Sequence, residues 1–169
     1  LPKGAMLTHG NVFWNSINVC FGEDGLSGTT LTCAPLFHIG GLNVTTLLSL
    51  GKGVEVVLLR SFDAGEVLSL IEKHSVTTMF GAPTMFLMMV QDESFATRDL
   101  SSIVTLTCGG APVPVPLIKT YGERGINFCQ GYGLTETAPF ASLLASDLAM
   151  VKVGSAGKAP MFTEVRIVD

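Results

Sequence analysis

In Gln130-Gly131-Tyr132-Gly133-Leu134-Thr135-Glu136-Thr137 an aromatic ring stands between two glycines, and a carboxylate between two hydroxyls. The missing side chains leave a face of the Tyr132 ring open to another flat group. Thr135 and Thr137 offer hydroxyl donors, and Glu136 offers the oxygen ligand that Mg²⁺ prefers. The same residues also read as a solvent loop with a helix cap. A second candidate is Cys108-Gly109-Gly110-Ala111-Pro112, between a strand-like and a helix-like run. Anions and flat rings are often held at such places, although the segment alone also fits an ordinary tight turn. In a third, Pro35-Leu36-Phe37-His38-Ile39-Gly40-Gly41, His38 lies among apolar neighbours. It is either a satisfied core histidine or a pocket-lining one. Lys3, in Leu1-Pro2-Lys3-Gly4, is a lone phosphate candidate. The G-x-x-x-x-G-K-[ST] order is absent, which excludes a P-loop NTPase.

Regular elements must hold these turns. Strand-length apolar runs alternate with helix-length segments. Strands are expected over residues 30–36, 53–59, 76–80, 103–108 and 126–130, and helices over 41–50, 62–74, 84–90 and 114–123. Residues 163–168 alternate and predict a half-exposed strand. Asp63 is placed to cap the 62–74 helix, and Pro114 and Pro116 fit a first helical turn. The alternation predicts an α/β fold, a doubly wound and largely parallel sheet with helices on both faces, in a single subdomain over 1–169. In such sheets ligands bind beyond the carboxyl ends of the strands, where all the glycine-rich segments fall. Segment 84–90 is apolar all round and is expected to be a buried helix or a pocket wall. Its methionines suit a flexible chain, or equally helix core.

Composition narrows the function classes. The 169 residues are 47% hydrophobic and 14% charged, with a net charge of −4. The charged share is well below the roughly 25% usual for soluble domains, so the sheet must be buried on both faces or lie against something further. Acidic balance without clustered Lys and Arg excludes a nucleic-acid partner. Cys20, Cys33, Cys108 and Cys129 form no CxxC pair, and no histidine stands at zinc-finger spacing. Free buried thiols point to a reducing compartment, the cytoplasm. The uncharged stretch 25–51 contains Pro35, His38 and Asn43 and reads as a buried strand and helix, so no transmembrane segment is expected. The ends, at Leu1 and Asp169, read as cut from something longer.

Taken in order, these pieces resemble the adenylate-forming superfamily of acyl-CoA synthetases, peptide-synthetase adenylation domains and luciferases. Leu1-Pro2-Lys3-Gly4 with Leu7-Thr8-His9 is similar to the tail of its phosphate loop, although the preceding Ser, Thr and Gly residues are absent. Pro35-Leu36-Phe37-His38 resembles the next motif, and Gly131-Tyr132-Gly133-Leu134-Thr135-Glu136-Thr137 its most recognisable one. Gly154-Ser155-Ala156-Gly157-Lys158-Ala159-Pro160 looks like the following glycine-rich turn.

The resemblance implies that a carboxylate attacks the α-phosphorus of ATP and releases pyrophosphate. Coenzyme A then displaces AMP to give a thioester. It further implies that Tyr132 stacks on adenine, while Gly109, Gly110, Ala111 and Pro112 line the pocket with Gln130 and Gly131. Thr135 would bind the α-phosphate or the acyl carboxylate, Glu136 would hold Mg²⁺, and His38 would sit beside the reacting carboxylate. Lys3 would approach the leaving phosphates, and Gly133 would leave room for the acyl chain. A fatty acid is the expected substrate, with an aryl or amino acid, or a non-catalytic nucleotide-binding remnant, as alternatives. The ribose-binding Asp and the small C-terminal lid domain follow residue 169 in the family's order. The stretch alone is therefore not expected to complete catalysis, and its exposed apolar faces would favour self-association.

Overall fold

A computed structural model describes residues 1–22, 26–126 and 128–169. Gly25 and Asn127, which head the uncharged stretch and fall in the 126–130 run, lie outside the described residues. The elements run α1 (His9–Gly22), β1 (Thr29–Thr32), α2 (Ile39–Gly41), a π-helical turn (Leu42–Thr46), α3 (Leu47–Lys52), β2 (Val56–Leu58) and α4 (Ala64–His74). They continue with β3 (Val76–Gly81), α5 (Pro83–Gln91), β4 (Thr105–Gly109), α6 (Val115–Gly122), β5 (Phe128–Gly133) and β6 (Phe140–Leu144). A short 3₁₀ turn, Thr135–Thr137, sits between β5 and β6, and another, Ser146–Leu148, follows them.

The strands form one sheet in the order β2-β1-β3-β4-β5-β6. All neighbours are parallel except β5 and β6, which are antiparallel. Strand alternation sorts the side chains onto two faces. Leu31, Met79, Leu106, Cys108 and Phe128 point into the main core, where Val67, Leu68 and Ile71 of α4, Phe86 and Met89 of α5 and Tyr121 of α6 meet them. Phe86, Tyr121 and Phe128 pack edge to face, at centroid distances of 4.9 to 6.0 Å. Val44, Leu48, Cys129, Phe140 and Leu143 form a smaller cluster on the other face, with Val19 of α1. The helices therefore cover both faces, as the doubly wound reading requires.

Local chemistry sets the boundaries. Asp63 accepts a hydrogen bond from the Glu66 amide at 2.8 Å and caps α4, and Ser75 ends that helix in the left-handed region at φ 47°. Pro116 falls in the first turn of α6, where its missing N–H costs nothing. The helical stretch expected over 41–50 is present but carries the π turn. Thr46 Oγ1 donates to the Gly41 carbonyl at 2.8 Å and is itself 2.8 Å from Thr32 Oγ1 on β1. A hydroxyl thus satisfies a carbonyl that a regular α-helix would have used.

Residues 163–168 form no strand, which corrects the sequence expectation. They alternate, but no neighbour among the described residues offers them a ladder, and unpaired extended chain is not a strand. The edge next to β6 is met instead by Lys158, bridged to Leu143. Two elements were not foreseen. In α1, Asn15 and Asn18 are among the inward residues, so its apolar stripe is broken. Asn15 bridges the elements instead, donating to the Asn43 carbonyl at 2.8 Å and accepting from the Phe140 amide at 3.4 Å. Strand β6 is a short apolar run that periodicity alone does not distinguish.

Candidate active site

The connection that leaves β1 runs to β2 on one side and the one that leaves β3 runs to β4 on the other, so the connections diverge between β1 and β3. The β1–β2 connection runs over the face of the smaller cluster, while α4, α5 and α6 cover the main core face. A crevice at the carboxyl edge is expected at such a switch point. The turns after β1, β4 and β5 all open on that edge. Register aligns Gly109 with Gly131 and Cys108 with Gln130.

The β4 and β5 turns line a cavity of about 380 Å³. Gly110, Ala111 and Pro112 form one wall, and Gln130, Gly131, Tyr132 and Gly133 another. Gly154, Ser155 and Ala156 close a third side. Gly110 adopts φ 86° and has nothing near its missing side chain, so a ligand could approach its backbone closely. Tyr132 is 52% exposed, so part of its ring is open at the rim of the cavity. Cys108 lines the floor, and burial pushes its thiol up to about 12, so it remains a neutral thiol.

Gln130 supplies the orphan. It is 7% exposed, and its Nε2 finds no partner among the described residues. A buried amide without a partner is costly, and it lines the cavity, so a ligand with an acceptor atom would relieve it. A flat heterocycle such as adenine meets all these features: an open ring to stack on, backbone at close approach, and a buried donor. Glu136 is exposed on the 3₁₀ turn beside this cavity. A single carboxylate suits Mg²⁺, which keeps several waters and completes its shell from substrate phosphates. No cluster of metal-ligating side chains occurs among the described residues.

The hydroxyls around Glu136 divide. Thr137 Oγ1 accepts from the Leu134 amide at 2.8 Å and donates to the Pro139 carbonyl, so it closes the turn. Thr135 is exposed and stands on the same turn as Glu136. The glycines divide too. A Cβ at Gly131 would lie 2.1 Å from the Phe140 ring, and one at Gly133 would lie 1.9 Å from the Pro139 carbonyl oxygen. Both are therefore needed for β5 to approach the returning chain. The place a side chain at Gly133 would take is filled by residue 139.

His38 caps α2. Its Nδ1 accepts from the Gly40 amide at 3.0 Å, so in the neutral ring the proton sits on Nε2. The exposed imidazole thus presents a donor, a suitable partner for a carboxylate. Lys3 is exposed near the chain start. Sequence reasoning missed Phe80, at the end of β3. A Cβ at Gly40 would sit 2.8 Å from its ring and one at Gly109 would sit 3.4 Å away, so the ring lies between the turns after β1 and β4. An aromatic just before Gly81-Ala82-Pro83 was the available signal.

The sequence profile of the family described as "AMP-binding enzyme" matches residues 1–169, the whole chain. The chain belongs to the AMP-binding enzyme family. A feruloyl-CoA synthase from an Amycolatopsis species is 47% identical over 98% of this chain and 34% of its own length. The long-chain-fatty-acid–CoA ligase FadD13 of Mycobacterium tuberculosis is 38% identical over 98% of this chain and 33% of its own length. The solved O-succinylbenzoate coenzyme A synthetase of Bacillus subtilis, in complex with ATP and magnesium ion, superposes with a TM-score of 0.85. It is 33% identical, over 95% of this chain and 33% of that one. The chain thus spans about a third of the length of the relatives it matches. In this family member the turns after β1, β4 and β5 that carry the motifs gather at the sheet's carboxyl edge. No helix of the described residues is long and apolar enough to cross a membrane.

Proposed function

We propose that this chain is the nucleotide- and acid-holding part of an AMP-forming acid–CoA ligase. Its reaction joins a carboxylic acid to ATP, releasing pyrophosphate, and then transfers the acyl group to coenzyme A with loss of AMP. The observation that carries the reading is the cavity between the β4 and β5 turns, which combines the open Tyr132 ring with the orphaned Gln130 amide. The step is hard because an anionic nucleophile must meet a polyanion. Donors and cations aimed at the phosphorus lower that barrier. Here Thr135 would hold the α-phosphate or the acyl carboxylate, and the Nε2–H of His38 would orient the attacking carboxylate. Mg²⁺, bound at Glu136, would neutralise charge on the phosphates. Lys3 would approach the leaving pyrophosphate.

The relatives named above act on ferulate and on long-chain fatty acids, so their likeness supports acid activation without selecting the acid. The methionine-rich run gives no ground for a fatty tail. Phe86 and Met89 are fully buried in the main core, Leu87 and Met88 face outward, and none of the run lines the nucleotide cavity.

The test is AMP release by the full-length protein across a panel of fatty, aryl and amino acids, with coenzyme A present or withheld. AMP should form with at least one acid, and coenzyme A should convert the product to a thioester. Glu136→Ala should lower adenylation on the order of 100-fold at low Mg²⁺, with partial recovery as Mg²⁺ rises. An unchanged Mg²⁺ titration would refute the role of Glu136. No AMP with any acid would refute the reaction.

A further inference from the structure

We propose that Ser142 is a positioning residue for the nucleotide: its hydroxyl holds the 154–157 turn in place as the outer wall of the cavity beside Tyr132. This rests on the acid-activation reading and concerns the base-holding end of that site. Strand β6 pairs antiparallel with β5, which sets Ser142 opposite Tyr132 and Leu144 opposite Gln130. Directly opposite residues share a sheet face, so Ser142 stands on the face that carries both cavity residues. Gly154, Ser155 and Ala156 line the same cavity. Ser142 Oγ donates to the Ala156 carbonyl at 2.8 Å and so ties that wall to the sheet.

The turn has little apolar surface to fix it. Its sequence, Gly154-Ser155-Ala156-Gly157, offers no large side chain to bury, so directional bonds must set its place. One peptide bond takes both serine contacts. The Ala156 carbonyl accepts from Ser142, and the Gly157 amide donates to Ser155 Oγ at 3.0 Å. That peptide plane is therefore held from β6 on one side and from within the turn on the other. The chain then returns to the sheet at Lys158, whose amide and carbonyl both bond to Leu143, at 3.1 and 2.9 Å. Gly157 permits this closeness, since a Cβ there would lie 2.0 Å from the Leu143 backbone. Backbone bonds thus anchor the far end of the turn, and Ser142 sets the wall next to the Tyr132 strand position. Without the hydroxyl, the Ala156 carbonyl would turn to water and the wall would sample wider positions. A base stacked on Tyr132 would then have to order that wall on binding, at a cost in affinity. The phosphates, assigned above to Thr135 and Glu136, meet a different turn.

The experiment uses the full-length protein and an acid that it activates. Ser142→Ala should raise KM for ATP about two- to tenfold, the scale of one lost hydrogen bond, while kcat and KM for the acid stay unchanged. Adenosine, as a competitive inhibitor against ATP, should weaken by the same factor, whereas inorganic tripolyphosphate should not. Ser142→Thr keeps the hydroxyl on a side chain that strands favour, and should return KM for ATP to near the wild-type value. A thermal melt of each variant checks that it folds. An unchanged KM for ATP, a fall in kcat alone, equal weakening of adenosine and tripolyphosphate, or no rescue by Ser142→Thr would each overturn the positioning role while leaving acid activation intact. AMP formation with no acid would overturn acid activation. Calorimetry of adenosine binding to the wild type and Ser142→Ala then still reads the wall: weaker binding to the variant supports it, and equal affinities overturn it.

Discussion

The two faces of this sheet are built from different chemistry. On the main core face Met79, Leu106 and Phe128 meet Phe86, Met89 and Tyr121, and dispersion and apolar burial do the holding. On the opposite face Thr30, Thr32, Thr78, Thr105 and Thr107 are buried along the strands. Hydroxyls there pair across to the β1–β2 connection: Thr30 with Ser49 at 2.7 Å and Thr32 with Thr46 at 2.8 Å. The apolar face carries bulk stability. The hydroxyl face fixes where the π turn sits, and that connection begins at His38 and Gly40. A polar contact is directional, so it positions a turn more sharply than apolar contact does.

Truncation should separate the faces. Phe86→Ala removes a fully buried ring from the aromatic cluster and should cost about 3–5 kcal/mol by urea unfolding. A loss below 1 kcal/mol would mean that the main core does not carry the fold. Thr30→Val keeps the shape but strands the buried Ser49 hydroxyl, and should cost about 1–3 kcal/mol. Adding Ser49→Ala should return part of that loss, since removing both partners leaves nothing unpaired. No recovery in the double variant would show that the pair is not coupled. The smallest effect lies outside both faces. Ser75 is exposed and left-handed at the end of α4, so Ser75→Gly should raise stability by about 1 kcal/mol in the same assay.

Much of this architecture was legible in the sequence because strand-length runs of apolar residues and threonine recur between helix-length segments. β3, β4 and β5 each overlap such a run, and Asp63 marks the start of α4. The hidden parts are those in which polar residues do the packing. Asn15 and Asn18 face inward on α1, and a pattern sought in apolar residues passes over them. Residues 163–168 failed in the opposite sense, since alternation is a property of one segment while a strand requires two. Tyr132 and Gly110, which line the cavity, and Glu136, proposed to hold Mg²⁺, drew notice because glycines and a lone carboxylate stand out in an apolar chain. Gly133 was read as clearance for a ligand, but which atoms occupy a missing side chain's space depends on the returning segment at Pro139. Phe80 was passed over because only the fold brings the turn after β1 against the end of β3.

The central claim is that a purine lies on the Tyr132 ring, with the Gln130 amide as its buried partner. A crystal structure of the full-length protein with an acyl-sulfamoyl adenosine tests it most directly. The account predicts adenine carbons about 3.5–4.0 Å from the Tyr132 ring and an adenine acceptor within hydrogen-bonding distance of Gln130 Nε2. A nucleoside bound away from both, with the Tyr132 ring still facing solvent, would contradict it.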